Sequence, residues 1–290
     1  MLHGIEFPAA GECGDPKTLA ELARLAEGAG WDGVFLEDYA VYHNDVYRSV
    51  PGAPTYDPWV ALAAMATRTE RVRLGTAITP LPRRRPWKLA REAVSVDHLS
   101  GGRMILGVGS GDVSEKGFTH FGEETDAKRR AGLLDEGLDV LTGLWSGRSF
   151  AYEGEHHVVE EVTFLPEPVQ RPRIPIWVGG VWPRKGPLRR AARWDGFIPY
   201  KPVEDGHRQE DLTPEDVRQI LARVERERAD PAAPFDLVVG GDERREDWEE
   251  ERSVVSSLEV AGATWWLEWV AAAPFEEMCR AVVRGPLRVS

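Results

Sequence analysis

Two adjacent carboxylates, Glu37 and Asp38, end the apolar run 33–36, and Tyr39, Tyr42, His43, Asp45 and Tyr47 follow in the next stretch. A carboxylate placed there does acid–base work if it faces a dry cavity, where burial or a neighbouring charge tunes its proton affinity. In a solvated loop the same pair does none. His43 is a candidate proton carrier, although a lone loop histidine is ordinarily a surface residue.

Two glycine-rich stretches offer a different chemistry. GVGSGD (107–112) and Gly179-Gly180 each end an apolar run. Bare backbone amides at such ends face an anion well, and a following helix adds the positive end of its dipole. Either stretch alone also fits an ordinary strand-to-helix turn. Together, at strand ends of one fold, they point to a phosphorylated ligand. A dinucleotide fingerprint is disfavoured, because that loop belongs to the first βα unit and reads G-x-G-x-x-G. Arg83, Arg84 and Arg85 form either a solvated or packing run or a guide for an anionic tail. Trp182, just past Gly180, is the tryptophan placed near a ligand; most of the others read as core.

The elements that must position these residues follow from periodicity. The apolar run 72–79, interrupted by Gly75, leads through the loop 80–85 into a helix opened by Pro86 and closed by Gly101-Gly102. The run 104–108 then ends in GVGSGD. That is a βαβ unit with start and stop signals in place, and short continuous apolar runs imply a parallel sheet buried on both faces. The glycine inside the run permits a bulge or a close ligand approach at 75–79. Further strands are expected at 2–7, 33–36, 176–178, 196–199, 235–239 and 264–267. Helices are expected from Asp15-Pro16, from Asp57-Pro58, over 126–145, 188–194 and 275–283, from Thr213 with a capping-box-like Asp216, and from the acidic run 242–252. Residues 149–165 alternate around Glu153-Gly154 and read as a hairpin inserted before strand five. Eight strands alternating with helices predict one (β/α)8 TIM barrel spanning 1–290, with its chemistry at the C-terminal strand ends.

Composition narrows the function. A chain of 290 residues suits a single α/β barrel, and a formal charge of -12 argues against nucleic acid as the main partner. Cys13 and Cys279 lie far apart and outside any metal spacing, so free thiols in a reducing cytosol are expected, with a bridge between the two as the alternative. No apolar stretch approaches the roughly 18 residues of a membrane span, and the first residues carry no signal-peptide pattern. The histidines form no metal set, and no G-x-S-x-G elbow occurs. No metal, no membrane and a cytoplasmic location are expected.

The ordered combination of VRLGTAITPLPRRRPWKLAREAVSVDHLSGGRMILGVGSGD, FGEETD (121–126), LPEPVQRPRIPIWVGG (165–180) and AARWDGF (191–197) resembles the luciferase-like flavin-dependent oxidoreductases. The resemblance runs to about residue 202; the tail from about 203 is unmatched. It implies a (β/α)8 barrel, usually dimeric, with FMN or the deazaflavin coenzyme F420 in its mouth. By that likeness Thr76 and Ala77 lie at a strand-three bulge against the flavin ring. Gly109, Ser110 and Gly111 line the cofactor, and Gly179 and Gly180 approach its phosphate. Departures from both subgroups leave the cofactor open: Tyr39 replaces the histidine that deazaflavin users carry after Asp38, and Ser110 replaces luciferase's phosphate-binding arginine. Luciferase also carries a glutamate and two histidines where only Glu37 matches.

The expected protein is therefore an oxidoreductase or monooxygenase acting on a small molecule. Asp38 or His43 carries the proton, Glu37 or Tyr39 orients the ligand, and a flavin reductase serves as partner in the FMN case. Two other classes compete. One is a non-catalytic flavin-binding protein. The other is a cofactor-free lyase or isomerase on a phosphorylated substrate, which wants a barrel lysine such as Lys201 or a deep carboxylate pair.

Overall fold

Each barrel strand pairs in parallel with the next until the last meets the first. The computed structural model describes residues 1–42, 53–113, 116–202, 209–241 and 243–288. In the first half the elements are β1 (Leu2–Pro8), α1 (Pro16–Gly28), β2 (Gly33–Glu37), α2 (Pro58–Ala66), β3 (Arg73–Thr76), β4 (Thr79–Pro80), α3 (Pro86–Ser100), β5 (Met104–Gly109), α4 (Lys116–Thr119) and α5 (Ala127–Trp145). The second half has β6 (Ser149–Glu153), β7 (Val158–Thr163), β8 (Ile176–Val181), α6 (Lys185–Ala191), β9 (Gly196–Pro202), β10 (Gln209–Glu210), α7 (Pro214–Glu227), β11 (Asp236–Gly240), α8 (Trp248–Ala261), β12 (Trp265–Trp269) and α9 (Phe275–Val283). The ring runs β1–β2–β3–β5–β8–β9–β11–β12 and back to β1, all parallel. This is a (β/α)8 barrel, with the β6–β7 hairpin inserted before its fifth strand.

Local chemistry explains most boundaries. Asp15 accepts from the amides of Lys17 and Thr18 at 3.0 and 3.2 Å, with Pro16 starting α1. Asp57 does the same for α2 on Trp59 and Val60 at 2.8 and 3.1 Å, ahead of Pro58. Thr213 and Asp216 form a full capping box on α7. Such caps contribute about 1 kcal/mol each. Two helix starts differ from expectation. The helix placed at 188–194 begins at Lys185, and the acidic run opens its helix only at Trp248, because Asp247 is the residue that caps the amides of Glu249 and Glu250.

The strand expected over 72–79 is broken in two. Gly75 lies opposite Ile105 and Thr79 opposite Val108, so four residues on one strand advance against three on the other. The extra residue is a bulge at Ala77 and Ile78.

Inside the barrel, Phe35, Trp177 and Trp265 form a plug, with ring centroids 5.2 to 5.8 Å apart. Ile105, Val238 and Leu267 complete it. At the floor, the Trp177 indole donates to Asp236 at 3.1 Å. The larger cluster lies between the strands and the helices. With the bottom closed, a ligand has access from the C-terminal strand ends. Among the described residues, no helix is long and apolar enough to cross a membrane.

Candidate active site

Strand alternation sorts the mouth residues into inward and outward sets. On β2, Phe35 belongs to the interior plug while Leu36 joins the outer cluster, so Glu37 points inward and Asp38 outward. On β1 the register sets Glu6 opposite Phe35 and Trp269. Glu6 is therefore inward too, one layer above the plug, and only 6% exposed. Burial, and then the like charge of Glu37, push its carboxyl well above the usual range.

Ile78 crosses the middle of the mouth. A β-carbon at Gly109 would lie 2.2 Å from Ile78 Cδ1, and one at Gly179 2.7 Å from the same atom. These two glycines are small because the isoleucine fills the space above them. The result is an apolar shelf spanning β5 and β8.

The far edge is cationic. Arg130 of α5 donates to the carbonyls of Ser110 and Gly111 at 2.8 and 2.5 Å, and its guanidinium also lies over the Phe118 ring. The buried Arg130 Nε has no hydrogen-bond partner among the described residues. Tyr200 follows Ile198 on the inward face of β9. Burial and Asp112 raise its phenol pKa, while Arg184 and Arg130 oppose that rise, so the four side chains share one region.

The structure brings only part of the expected set together. Ala77, Gly109, Gly179 and Glu37 line the mouth, with Ser110 and Gly111 at its rim. Thr76 instead points outward and donates its hydroxyl to Gly107 O at 2.8 Å. Gly180 faces α6, where a β-carbon would meet Pro187 Cβ at 2.3 Å. Trp182 packs between β8 and α7, its indole N–H spent on Asp216 at 2.7 Å and its ring under Arg223. Asp38 is buried outside the ring, where its Oδ1 takes Arg84 at 2.8 Å and Arg83 at 3.3 Å. Burial works against the Arg84 charge, yet Asp38 and Glu92 outweigh it and hold its pKa above the ordinary value. Both arginines thus serve packing rather than the mouth. His43 lies outside the described residues.

Lys201 stands 3.3 Å from Asp216 and 3.4 Å from Glu210. Burial would lower its pKa, but those carboxylates carry it above the usual lysine value. A Schiff-base lysine needs the opposite shift.

Sequence reasoning missed Glu6, Ile78 and Arg130. Glu6 had a signal, being the one carboxylate in an otherwise buried strand. Ile78 had none, since an isoleucine in an apolar run is unremarked. Arg130 reaches the end of β5 from a distant helix, beside Ser110, where the resemblance leads one to expect an arginine.

The luciferase-like monooxygenase profile matches residues 3–278. The chain belongs to that family. An F420-dependent glucose-6-phosphate dehydrogenase of Microbacterium testaceum is 34% identical over 179 residues, 61% of this chain and 51% of that relative. The chain thus spans about half the length of that curated relative. Among solved structures, a monooxygenase from Streptomyces bottropensis superposes with a TM-score of 0.76 at 22% identity, covering 97% of this chain and 96% of that one. The coenzyme F420-dependent tetrahydromethanopterin reductase of Methanopyrus kandleri gives 0.72 at 17% identity, with coverage of 97% and 96%. At such identities these likenesses establish the fold.

The mouth of this luciferase-like barrel suits a flavin-type group. An aromatic ring system wants a flat apolar support, which Ile78 supplies. An anionic tail wants cations at one edge, which Arg130 and Arg184 supply, Arg130 with an unfilled buried donor.

Proposed function

We propose that this chain is a two-electron oxidoreductase holding a flavin-type coenzyme across the barrel mouth, the deazaflavin F420 ahead of FMN. The observation that carries the proposal is the mouth's polarity: an apolar shelf at Ile78 stands between an acidic side, with Glu6 buried and Glu37 half-buried, and a cationic edge. The F420 dependence named for the relative at 34% identity supports the deazaflavin. When bound, such a coenzyme supplies a ring that accepts or donates two electrons, with oxygen as a further reactant only in the FMN case.

This chain's residues do the rest. Ile78, backed by Gly109 and Gly179, supports the ring. Arg130, Arg184 and Tyr200 hold the anionic tail, and the Gly109–Gly111 backbone lines its path. Glu37 meets the substrate from β2, and Asp38, clamped by Arg83 and Arg84, positions the strand end that carries it. His43 remains a proton carrier in this scheme. The substrate is a small molecule, and the working unit is a homodimer, with a flavin reductase as partner if FMN is used.

Titration of the purified chain with FMN and, separately, with F420, read by absorbance and tryptophan fluorescence, tests the scheme. Saturable F420 binding that weakens about tenfold, or about 1.4 kcal/mol, in Arg130→Gln is expected. Tight binding of reduced FMN alone would move the chain to the monooxygenase branch. Binding of neither would overturn the proposal and favour the barrel isomerase on a phosphorylated substrate, for which the Glu6–Glu37 pair supplies the required carboxylates.

A further inference from the structure

Phe118 is fully buried, yet it belongs to neither of the two apolar clusters. Around its ring are charge and bare backbone. Two guanidinium carbons lie over it, Arg83 Cζ at 5.5 Å and Arg130 Cζ at 5.6 Å from the centroid. Against it lies Gly111, just past the end of β5, whose φ of 75° is one that other residues rarely adopt. A β-carbon there would meet Phe118 Cζ at 2.2 Å.

The two arginines are not alike. Arg83 already answers a carboxylate, standing 3.3 Å from Asp38 Oδ1 with both side chains all but sealed from solvent. Arg130 spends hydrogen bonds on the neutral carbonyls of Ser110 and Gly111, and its buried Nε has no partner among the described residues. The backbone of Arg130 is set by the start of α5, where Asp126 is the cap and its carbonyl accepts from the Arg130 amide at 2.9 Å. That leaves the long side chain its choice of rotamers. A cation over an aromatic face is stabilised most where no water competes, and this ring is sealed. Without such a seat the guanidinium would be ordered only when a ligand binds, at a cost in rotamer entropy.

We propose that Phe118 is a positioning residue for an anion at the mouth: anchored by Arg83, its ring fixes the Arg130 guanidinium against the Ser110–Gly111 backbone and leaves the charge to the anion. The ligand class is a phosphate-bearing small molecule; that assignment rests on the oxidoreductase function above. Phe118 touches no reacting atom, and its effect on the ligand passes through Arg130. The ring also ties the two sides of the mouth together, because Arg83 holds the carbonyl of Asp38 at the end of β2 as well.

Stepwise fluorination of Phe118 alone, with one, two and three fluorines on the ring, tests the role. Each fluorine weakens the negative π face and nearly keeps the shape. F420 and, separately, inorganic phosphate are titrated into each chain, read by fluorescence and calorimetry. Affinity is expected to fall with every fluorine, to about tenfold with three. In Arg130→Gln the same series is expected to be flat. A flat series in the chain with Arg130 intact, for either ligand that binds, means that Phe118 only packs and overturns the proposal. So does a series that still falls in Arg130→Gln, since the ring would then act by another route. If the trifluoro chain does not fold, the first two steps decide alone. Phosphate affinity that falls along the series without any F420 or FMN binding overturns the oxidoreductase function only. F420 affinity that stays level overturns the positioning role only, and binding of none of the three overturns both.

Discussion

Ile78 and Gly109 show how one side chain is shaped by the absence of another. The β-carbon that Gly109 lacks would sit 2.2 Å from Ile78 Cδ1, the far end of a flexible side chain. Gly109→Ala therefore displaces the isoleucine and not the backbone. Overpacking of this kind costs about 1–3 kcal/mol in a rigid core. Here the low end applies, since Ile78 has the open mouth to move into. Coenzyme affinity is expected to fall about tenfold, with a melting temperature only a few degrees lower. Unchanged affinity in a fluorescence titration would show that Ile78 does not carry the ring. The positions of Gly109, Gly179 and Glu37 at strand ends were legible, because apolar runs reveal where strands stop. Which neighbour faces the mouth was not. Glu37 and Asp38, or Gly179 and Gly180, differ by one step of a two-residue alternation. Only the register against adjacent strands sets that phase, and it placed Trp182 and Thr76 in packing roles.

At the scale of elements, α5 and the hairpin behave as one unit. Glu136 of α5 accepts from the amides of Glu155, His156 and His157 at 2.8 to 2.9 Å, closing the hairpin turn. These bonds hold the Glu136 carboxyl below its usual pKa, against the opposing effect of burial. Further along α5, a β-carbon at Gly143 would lie 2.0 Å from the Phe150 ring of β6. An exposed mid-helix Gly→Ala change ordinarily gains up to about 1 kcal/mol. At Gly143 the ring cannot yield as a flexible tail does, so a net loss of about 1–2 kcal/mol is expected. Hydrogen exchange should localise it, with faster exchange in 149–163 and unchanged protection in β5 and β8. A stability gain would mean that the hairpin is only loosely docked. Both elements were readable in the sequence, α5 from its leucine face and the hairpin from alternation around Glu153-Gly154. Their docking was not, because it depends on a glycine that helix propensity marks only as a weakness. The bulge at Ala77 and Ile78 was foreshadowed by Gly75, yet a bulge exists only relative to the neighbouring strand. The start of α6 was missed for want of any side-chain cap at Arg184.

The whole molecule is a barrel with unlike ends, and two buried titratable groups on β1 report on them. His3, 2% exposed, packs outside the ring beside Trp266 in register. Burial, with Arg288 adding to it and Asp32 opposing, lowers its pKa from 6.5 to about 4. In the unfolded chain His3 protonates at the higher value. Stability from the neutral imidazole is thus complete above pH 6.5 and lost as pH falls towards 4, by about 3 kcal/mol. Glu6 has the opposite sign. Its folded pKa is raised above 4.5, so its contribution is complete below that value and lost as pH rises through the folded pKa. Between pH 4.5 and 6.5 the two slopes oppose one another on a single strand. Urea unfolding across that window should therefore give mirrored difference curves. His3→Gln gains on the unaltered chain towards acid, and Glu6→Gln gains towards neutrality. A Glu6→Gln curve parallel to that of the unaltered chain would mean that the carboxyl is solvated and the mouth wet. A gain at neutral pH would show a glutamate that costs the fold stability under working conditions. His3 can stay neutral there at no cost, but Glu6 must either hold a proton or carry its charge in a buried place. Such a group in the mouth of a barrel is explained by what it does to a ligand and not by what it does for the fold.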